Sequence, residues 1–265
     1  MRIVWLTDIH LNFCTSGEDR ALWGEVEAAA PDAVLISGDI AESEDAAFYL
    51  ERMERRWERP IYFVLGNHDY YFGSIAGVRQ QMDELCASRR RLVYLSHRDV
   101  CELTPRVGLV GHDGWADGRC GDYANSDVML SDYRLIAELA RYSKRDRLPH
   151  LRDLGDEAGH HIRRVLPKAL KKYPQVFLVT HVPPLHEACW HEGRLSDDEW
   201  APHFTCRAVG DAILDVMAEH PDRQLTVLCG HTHGEGECRP LSNVLILTGA
   251  AEYNHPRITR IFELE

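Results

Sequence analysis

The chain has 265 residues, 45% of them hydrophobic and 27% charged, which is typical of a globular protein large enough to bury a sizeable core. It carries 42 acidic and 30 basic residues, and its net charge of −12 disfavours contact with DNA, RNA or anionic lipid. The charge does not exclude a phosphate substrate, because bound divalent cations reverse the local sign.

Targeting and redox signals favour a cytoplasmic protein. No run approaches the roughly 20 apolar residues that a membrane-spanning helix needs, so we expect no membrane partner. Met1-Arg2 leads directly into a strand pattern, which predicts that there is no signal peptide. The eight cysteines include no C-x-x-C pair and are spread from Cys14 to Cys238. We therefore expect mostly buried, reduced thiols rather than a disulfide framework.

Short apolar runs rich in branched residues predict buried strands. They cover residues 3–6, 33–36, 61–65, 92–95, 107–110, 176–179, 225–228 and 244–247. Helical patterns lie between the early runs, over residues 21–30, 44–57 and 74–88. The first half therefore predicts a β-α-β-α-β-α-β order with right-handed crossovers, and the closer strands after residue 92 predict a second sheet.

Two segments interrupt this alternation. Residues 115–173 are strongly charged and carry helical patterns over 132–142 and 150–172, which predicts a helical insertion. Residues 183–205 form a long loop rich in His, Trp and Asp, and such loops in compact domains are usually functional or disordered. Since no linker or internal repeat separates these parts, we predict one domain over residues 1–265.

Five polar motifs each follow a predicted strand. They are Asp8-Ile9-His10, Gly38-Asp39, Gly66-Asn67-His68-Asp69, Thr180-His181 and Gly230-His231-Thr232-His233. Open α/β sheets place their ligands at strand ends, so we expect these side chains to form a site. In extended backbone, alternate residues such as Asp8 and His10 project to the same side. Imidazole, carboxylate and amide ligands suit Mn²⁺, Fe or Zn²⁺, and the groups suffice for two ions with a shared ligand.

The motifs, in this order, resemble the calcineurin-like metallophosphoesterases, two-metal hydrolases that cut phosphate esters. The resemblance covers nearly the whole chain, from Asp8 to His233. It implies an α/β fold, a four-layer αββα sandwich of two mixed β-sheets flanked by helices. It assigns one metal to Asp8, His10, Asp39 and His233. It assigns the second metal to Asp39, Asn67, His181 and His231, with Asp39 bridging the two ions through its two oxygens.

A mechanism follows from this resemblance. Two divalent metals lower the pKa of a bridging water, so that a hydroxide attacks phosphorus at neutral pH. His68 is the candidate general acid for the leaving oxygen, because it neighbours Asn67 and its ordinary imidazole pKa lies close to neutral pH. By resemblance, Asp69 orients His68 and favours its protonated form.

Other residues are candidates for substrate contact. His112 follows the strand predicted at 107–110, and His186 and Trp190 lie in the long loop, where aromatic faces can stack on a base. Tyr70, Tyr71 and Phe72 follow the Gly-Asn-His-Asp motif and predict an aromatic rim. Asp132 is predicted to be solvated or a capping residue, and His160-His161 to be exposed.

We therefore predict a phosphoesterase with a small-molecule substrate and a modest preference for a diester or nucleotide-like ester. The alternatives are a phosphomonoesterase or protein phosphatase, or a metal-binding interaction module without catalysis. Protein phosphatases of the family carry paired arginines where this chain has aromatic residues, and non-catalytic relatives tend to lose the histidine that this chain keeps as His68. The acidic charge disfavours a nuclease. The sequence leaves open the physiological substrate, the native metal and the oligomeric state.

Overall fold

The computed structural model describes residues 1–15 and 17–265. The strands are β1 (Arg2–Leu6), β2 (Ala33–Ser37), β3 (Ile61–Val64), β4 (Leu92–Tyr94), β5 (Cys101–Thr104), β6 (Val107–Gly111), β7 (Gln175–Val179), β8 (Trp190–His191), β9 (Arg194–Leu195), β10 (Gln224–Cys229), β11 (Gly236–Leu241), β12 (Val244–Thr248) and β13 (Arg260–Glu263). The helices are α1 (Glu18–Ala29), α2 (Ala46–Trp57), α3 (Ile75–Ser88), α4 (Asp132–Leu135), α5 (Ala137–Ala140), α6 (Lys144–Lys172), α7 (Ala201–Phe204) and α8 (Arg207–Ala218). Short 3₁₀ turns lie at Leu11–Phe13, His68–Tyr70, Leu95–His97 and His186–Ala188.

The main strands form two mixed sheets. The first has the order β13-β1-β2-β3-β4, in which β1 to β4 are parallel and β13 is antiparallel to β1. The second has the order β11-β12-β10-β7-β6-β5, with a parallel centre and an antiparallel strand at each edge. The parallel strands were predicted because they are continuous apolar runs. The edge strands β5, β11 and β13 were missed, since they carry charged and partly exposed residues.

Side-chain alternation along the strands builds four layers. In β1, Ile3 and Trp5 face the second sheet and pack in one cluster with Phe177 and Val179. The other face of the first sheet packs against α1, α2 and α3, and the outer face of the second sheet packs against α6 and α8. The predicted αββα sandwich is therefore confirmed.

The segment between β6 and β7 differs from its prediction. The helical pattern over 132–142 forms two short helices, α4 and α5. Helix α6 begins at Lys144 rather than at residue 150, because Ser143 caps it by accepting a hydrogen bond from the Asp146 N–H at 3.3 Å. Since α6 forms the outer layer with α8, the inserted segment reduces to residues 112–143, and Tyr133, Ile136 and Leu139 of this segment pack into the core beside the first sheet. A single domain over residues 1–265 stays a prediction.

Two further expectations concern the environment of the chain. Within residues 1–15 and 17–265, no helix combines the length and the apolar character needed to cross a bilayer. All eight cysteines lie in the described residues and are free, four of them buried and four partly buried.

Candidate metal centre

The polar motifs meet at one edge of the sandwich. Strands β1, β2 and β3 of the first sheet and β7 and β10 of the second each end just before a motif. The loops after them are tied together, since the Asp8 N–H donates to the Gly38 carbonyl at 3.1 Å and the Gly230 N–H to the His181 carbonyl at 2.9 Å. The seven predicted ligand side chains therefore converge from both sheets.

The backbone at this edge is not extended, contrary to the prediction for Asp8 and His10. Five predicted ligands have left-handed backbone, namely Asp8 (φ 49°), His10 (φ 40°), Asp39 (φ 53°), His231 (φ 70°) and His233 (φ 56°). Such conformations cost about 1–3 kcal/mol each and persist only where the surroundings enforce them. Gly38 turns the chain before Asp39 with a φ of 92°, which favours glycine.

The first cluster contains Asp8, His10, Asp39 and His233, each offering one ligand atom within 4.8 Å of the others. The Nε2 atoms of His10 and His233 are 3.1 Å apart. Asp39 Oδ2 lies 3.7 Å from His10 Nε2, and Asp8 Oδ1 lies 3.4 Å from His233 Nε2. The other oxygen of Asp8 accepts from the Thr7 hydroxyl at 2.6 Å, which holds the carboxylate in place.

The second cluster contains Asn67, His181 and His231. The Asn67 Oδ1 atom is 3.0 Å from His181 Nε2 and 2.9 Å from His231 Nδ1, and these two nitrogens are 3.2 Å apart. Asp39 Oδ1 lies 3.5 Å from His181 Nε2, so the two oxygens of Asp39 face different clusters.

Hydrogen bonds at the far side of each ring fix the tautomers in the second cluster. His181 Nδ1 is 2.8 Å from the Ser37 carbonyl, and His231 Nε2 is 3.1 Å from the His203 carbonyl. Since a carbonyl only accepts, those two nitrogens carry the protons. His181 Nε2 and His231 Nδ1 then present lone pairs to each other and to the Asn67 carbonyl oxygen. Three lone pairs that face one another without a proton between them repel. A bound cation would relieve this repulsion by accepting all three.

Burial keeps His10, His181 and His231 neutral, which is the form that binds a metal. At His233, burial is outweighed by the hydrogen bond and charge of Asp8, which raise the pKa of that ring. Burial lowers the pKa of His10 to about 3 and that of His231 to about 4. Burial raises the pKa of Asp39 well above its ordinary value, and the neighbouring Asp8 and Asp69 carboxylates add to the effect. Neighbouring histidines outweigh burial at Asp8 and hold its pKa below the usual range.

Asp132 and Tyr71 lie behind Asn67. The Asn67 Nδ2 atom is 2.8 Å from Asp132 Oδ1 and 3.1 Å from the Tyr71 hydroxyl, which itself donates to Asp132 Oδ1 at 2.7 Å. Asp132 is buried, so the expectation of a solvated or capping residue was wrong. No local sequence signal points to this contact, because Asp132 lies 65 residues from Asn67.

His68 and Asp69 have different surroundings from those predicted. His68 Nε2 lies 3.4 Å from the Tyr253 hydroxyl, and its ring centre is 4.5 Å from that of His10. Burial, followed by the charge of neighbouring His10, lowers the pKa of His68 to about 2. Asp69 does not contact the His68 ring. Its carboxylate accepts from the backbone N–H groups of Ile40, Ala41 and Gly66 at 2.8–3.0 Å and so ties the loops after β2 and β3 together.

A cavity of about 320 Å³ opens beside both clusters. Among the described residues its lining includes Asp39, Asn67, His68 and His231, together with Tyr71, Phe204 and Tyr253, and it includes no Lys or Arg. Tyr253 also contacts Phe13 edge-to-face, with ring centres 5.3 Å apart, and both residues are about two-fifths exposed. Tyr253 comes from the loop after β12, which sequence reasoning did not connect to the site.

Comparison with known proteins fits this geometry. The sequence model for calcineurin-like phosphoesterases matches residues 1–235. The chain belongs to this family. None of the curated proteins compared with it shows a significant match.

Two solved structures share the fold of this phosphoesterase. One is the phosphopantetheinyl hydrolase of Mycobacterium tuberculosis, with a TM-score of 0.68 and 16% identity over 95% of this chain and 89% of that one. The other is a dimetal phosphatase from Danio rerio, with a TM-score of 0.54 and 15% identity over 94% of this chain and 87% of that one.

The three predicted substrate contacts of the phosphoesterase are not part of the cavity lining. His112 is buried, with its Nδ1 accepting from the Gly114 N–H at 3.1 Å. His186 Nε2 bonds the Ser196 carbonyl at 2.6 Å, and Trp190 packs over Gly236. From the long loop, His191 and Phe204 line the cavity instead.

Two predictions about exposure were wrong. His161 is buried beside His112, at 5.1 Å between ring centres, although its neighbour His160 is exposed as expected. Of the predicted aromatic rim, Tyr71 lines the cavity and Phe72 is exposed, but Tyr70 is fully buried and bonds Asp113 through its hydroxyl.

Proposed function

We propose that this phosphoesterase holds two divalent transition-metal ions and hydrolyses a small phosphodiester or nucleotide-like ester. The observation that carries the proposal is the pair of clusters that share Asp39, one of them with three lone pairs facing each other. Asp8, His10, Asp39 and His233 would hold one ion, and Asp39, Asn67, His181 and His231 the other. Mn²⁺, Fe and Zn²⁺ all suit these donors.

When bound, such ions neutralise the phosphate and make water nucleophilic near neutral pH. The chain itself supplies the shape of the pocket and a proton. His68 lines the cavity, and we assign it the protonation of the leaving oxygen. Since burial holds its pKa near 2, the ring needs a negative charge beside it to hold a second proton, and a bound phosphate ester supplies that charge.

Tyr253 is the side-chain partner at His68 Nε2, at 3.4 Å. Burial raises its pKa, so the phenol keeps its proton at neutral pH. Its hydroxyl can accept a hydrogen bond from the imidazole and hold the ring toward the cavity. Asp69, in contrast, supports the site by fixing the backbone on either side of Asp39 and Asn67.

The lining of the cavity favours a diester over a monoester. It offers no Lys or Arg among the described residues, so bound cations and a protonated His68 must meet the charge of the substrate. A diester carries one negative charge near neutral pH, whereas a monoester carries close to two. Tyr253 lines the cavity with an exposed ring beside the exposed ring of Phe13, and such aromatic surface suits a flat aromatic group.

Hydrolysis of bis-p-nitrophenyl phosphate tests the proposal. The protein is stripped with a chelator, reloaded with Mn²⁺ and compared with the same protein left stripped, with p-nitrophenyl phosphate as the monoester. We expect metal-dependent turnover that is faster on the diester. Faster monoester turnover would replace the diester assignment by a phosphomonoesterase. Two bound ions without turnover of either ester would point to the non-catalytic binding module.

A further inference from the structure

Asp132 is the first residue of α4, a helix in the segment of residues 112–143 between β6 and α6. Its side chain is 4% exposed and reaches back to the loop after β3. Two donors converge on its Oδ1 atom, the Asn67 amide at 2.8 Å and the Tyr71 hydroxyl at 2.7 Å. Asp132 touches neither His181 nor His231 through any hydrogen bond between described residues. Its hydrogen bonds therefore reach the second cluster only through Asn67, although its charge also acts on His231 directly and by itself raises the pKa of that ring.

An amide side chain has two ends of nearly the same shape, and its partners decide which end faces where. With the present orientation, the NH₂ group of Asn67 faces Asp132 and its carbonyl oxygen faces the two histidines. A half-turn would bring the carbonyl oxygen against a carboxylate oxygen and leave no proton between them. It would also turn the NH₂ group, which has no lone pair to offer, toward the second cluster.

We propose that Asp132 is a positioning residue: together with Tyr71 it locks the Asn67 amide so that its oxygen, not its nitrogen, faces the second metal. The inference rests on the proposed two-metal function. It assigns to the segment of residues 112–143 a part in building the centre, in addition to bordering the cavity.

Asp132→Asn tests this, because the new amide can offer either a donor or an acceptor and no longer selects one orientation of Asn67. The chelator-stripped protein is titrated with Co²⁺, and the visible absorption of the bound ions is followed. We expect the wild type to take two equivalents. In Asp132→Asn, one equivalent weakens by about 10–100-fold and the other keeps its affinity.

Three further variants isolate the effect. Asn67→Ala should weaken the same equivalent, and adding Asp132→Asn to it should cause a clearly smaller loss than Asp132→Asn causes alone, because the hydrogen bonds of Asp132 act through the amide. Tyr71→Phe should weaken that equivalent less, since Asp132 still bonds Nδ2. If a circular-dichroism melt shows that Asp132→Asn does not fold, Tyr71→Phe still tests the proposal. Asp127→Asn makes the same chemical change at an exposed site in the same segment and should leave both equivalents unchanged.

Two results would overturn the proposal. One is Asp132→Asn with both equivalents at wild-type affinity. The other is a further loss in the double variant as large as the loss that Asp132→Asn causes alone, which indicates an effect that does not pass through Asn67. In either case, the proposed function still stands if the wild type binds two Co²⁺ ions and hydrolyses esters. A wild type that binds no Co²⁺ removes both proposals.

Discussion

Gly66 lies between β3 and the ligand Asn67, where the loops from both sheets approach closely. A Cβ atom at this position would lie 2.1 Å from Asp39 Oδ1, 2.6 Å from the Asp39 backbone nitrogen and 2.6 Å from His181 Cε1. Cβ atoms essentially never approach another heavy atom closer than 3.0 Å, so the carboxylate oxygen must retreat by 3.0 − 2.1 = 0.9 Å. Gly66→Ala therefore acts on the residue that faces both clusters.

The magnitude follows from that displacement. Metal–ligand distances tolerate only about ±0.2 Å, so a shift of 0.9 Å removes Asp39 as a shared ligand. A misplacement of this size costs about 100-fold in turnover even where no ligand is lost. We expect Gly66→Ala to retain less than one equivalent of metal and to lose at least that much activity on bis-p-nitrophenyl phosphate.

The measurement is elemental analysis after dialysis against Mn²⁺, alongside the turnover assay and a thermal melt in chelator. Gly24→Ala is the matched control, because a Cβ there meets nothing within 4 Å and the residue lies in α1. It should keep full metal content and gain up to about 1 kcal/mol in stability. Two equivalents of metal in Gly66→Ala would refute the steric reasoning and the shared role of Asp39.

Three further predictions concern other parts of the site and its support. Asp39→Ala should lose both ions, and a variant that retains two equivalents by elemental analysis would contradict the bridging assignment. His68→Ala should keep its metal content but lose most of its turnover of esters with poor leaving groups. Its turnover of esters that release p-nitrophenolate should fall less. Equal losses of turnover on the two kinds of ester would exclude His68 as the general acid. Asp113→Asn should lower the free energy of unfolding by about 3–5 kcal/mol in urea titrations, because its buried carboxylate accepts from the Leu65 N–H and the Ser96, Tyr70 and Tyr94 hydroxyls. Burial opposes ionisation of Asp113, but Arg79 and these donors hold its pKa below the ordinary value, so the carboxylate stabilises the fold above about pH 4. The loss of unfolding free energy in Asp113→Asn should therefore shrink as the pH falls below that value. An equal loss at pH 7 and at pH 3 would contradict this.

The sequence by itself predicted the parallel strands and a polar site at their ends, and the resemblance of its five motifs implied the sandwich and the ligand set. Continuous apolar runs specify buried parallel strands, and the segments after parallel strands meet at one edge of a sheet. Asp39 or His181 could therefore be selected from its position alone, before any side chain was placed. The same logic failed at the edge strands β5, β11 and β13, where half-exposed residues give no continuous apolar run.

Only the tertiary structure decided how those groups are oriented and supported. The proton positions on His181 and His231 depend on the carbonyls of Ser37 and His203, 144 and 28 residues away in the chain. The support that Asp132 gives to Asn67 also comes from a distant segment. Asp69, placed by sequence beside His68, bonds backbone N–H groups of the loop after β2 instead. Spacing along the chain determines which residues follow the end of a strand. The rotation of each ring and amide depends on hydrogen-bond partners from other layers, and the local sequence does not identify those partners.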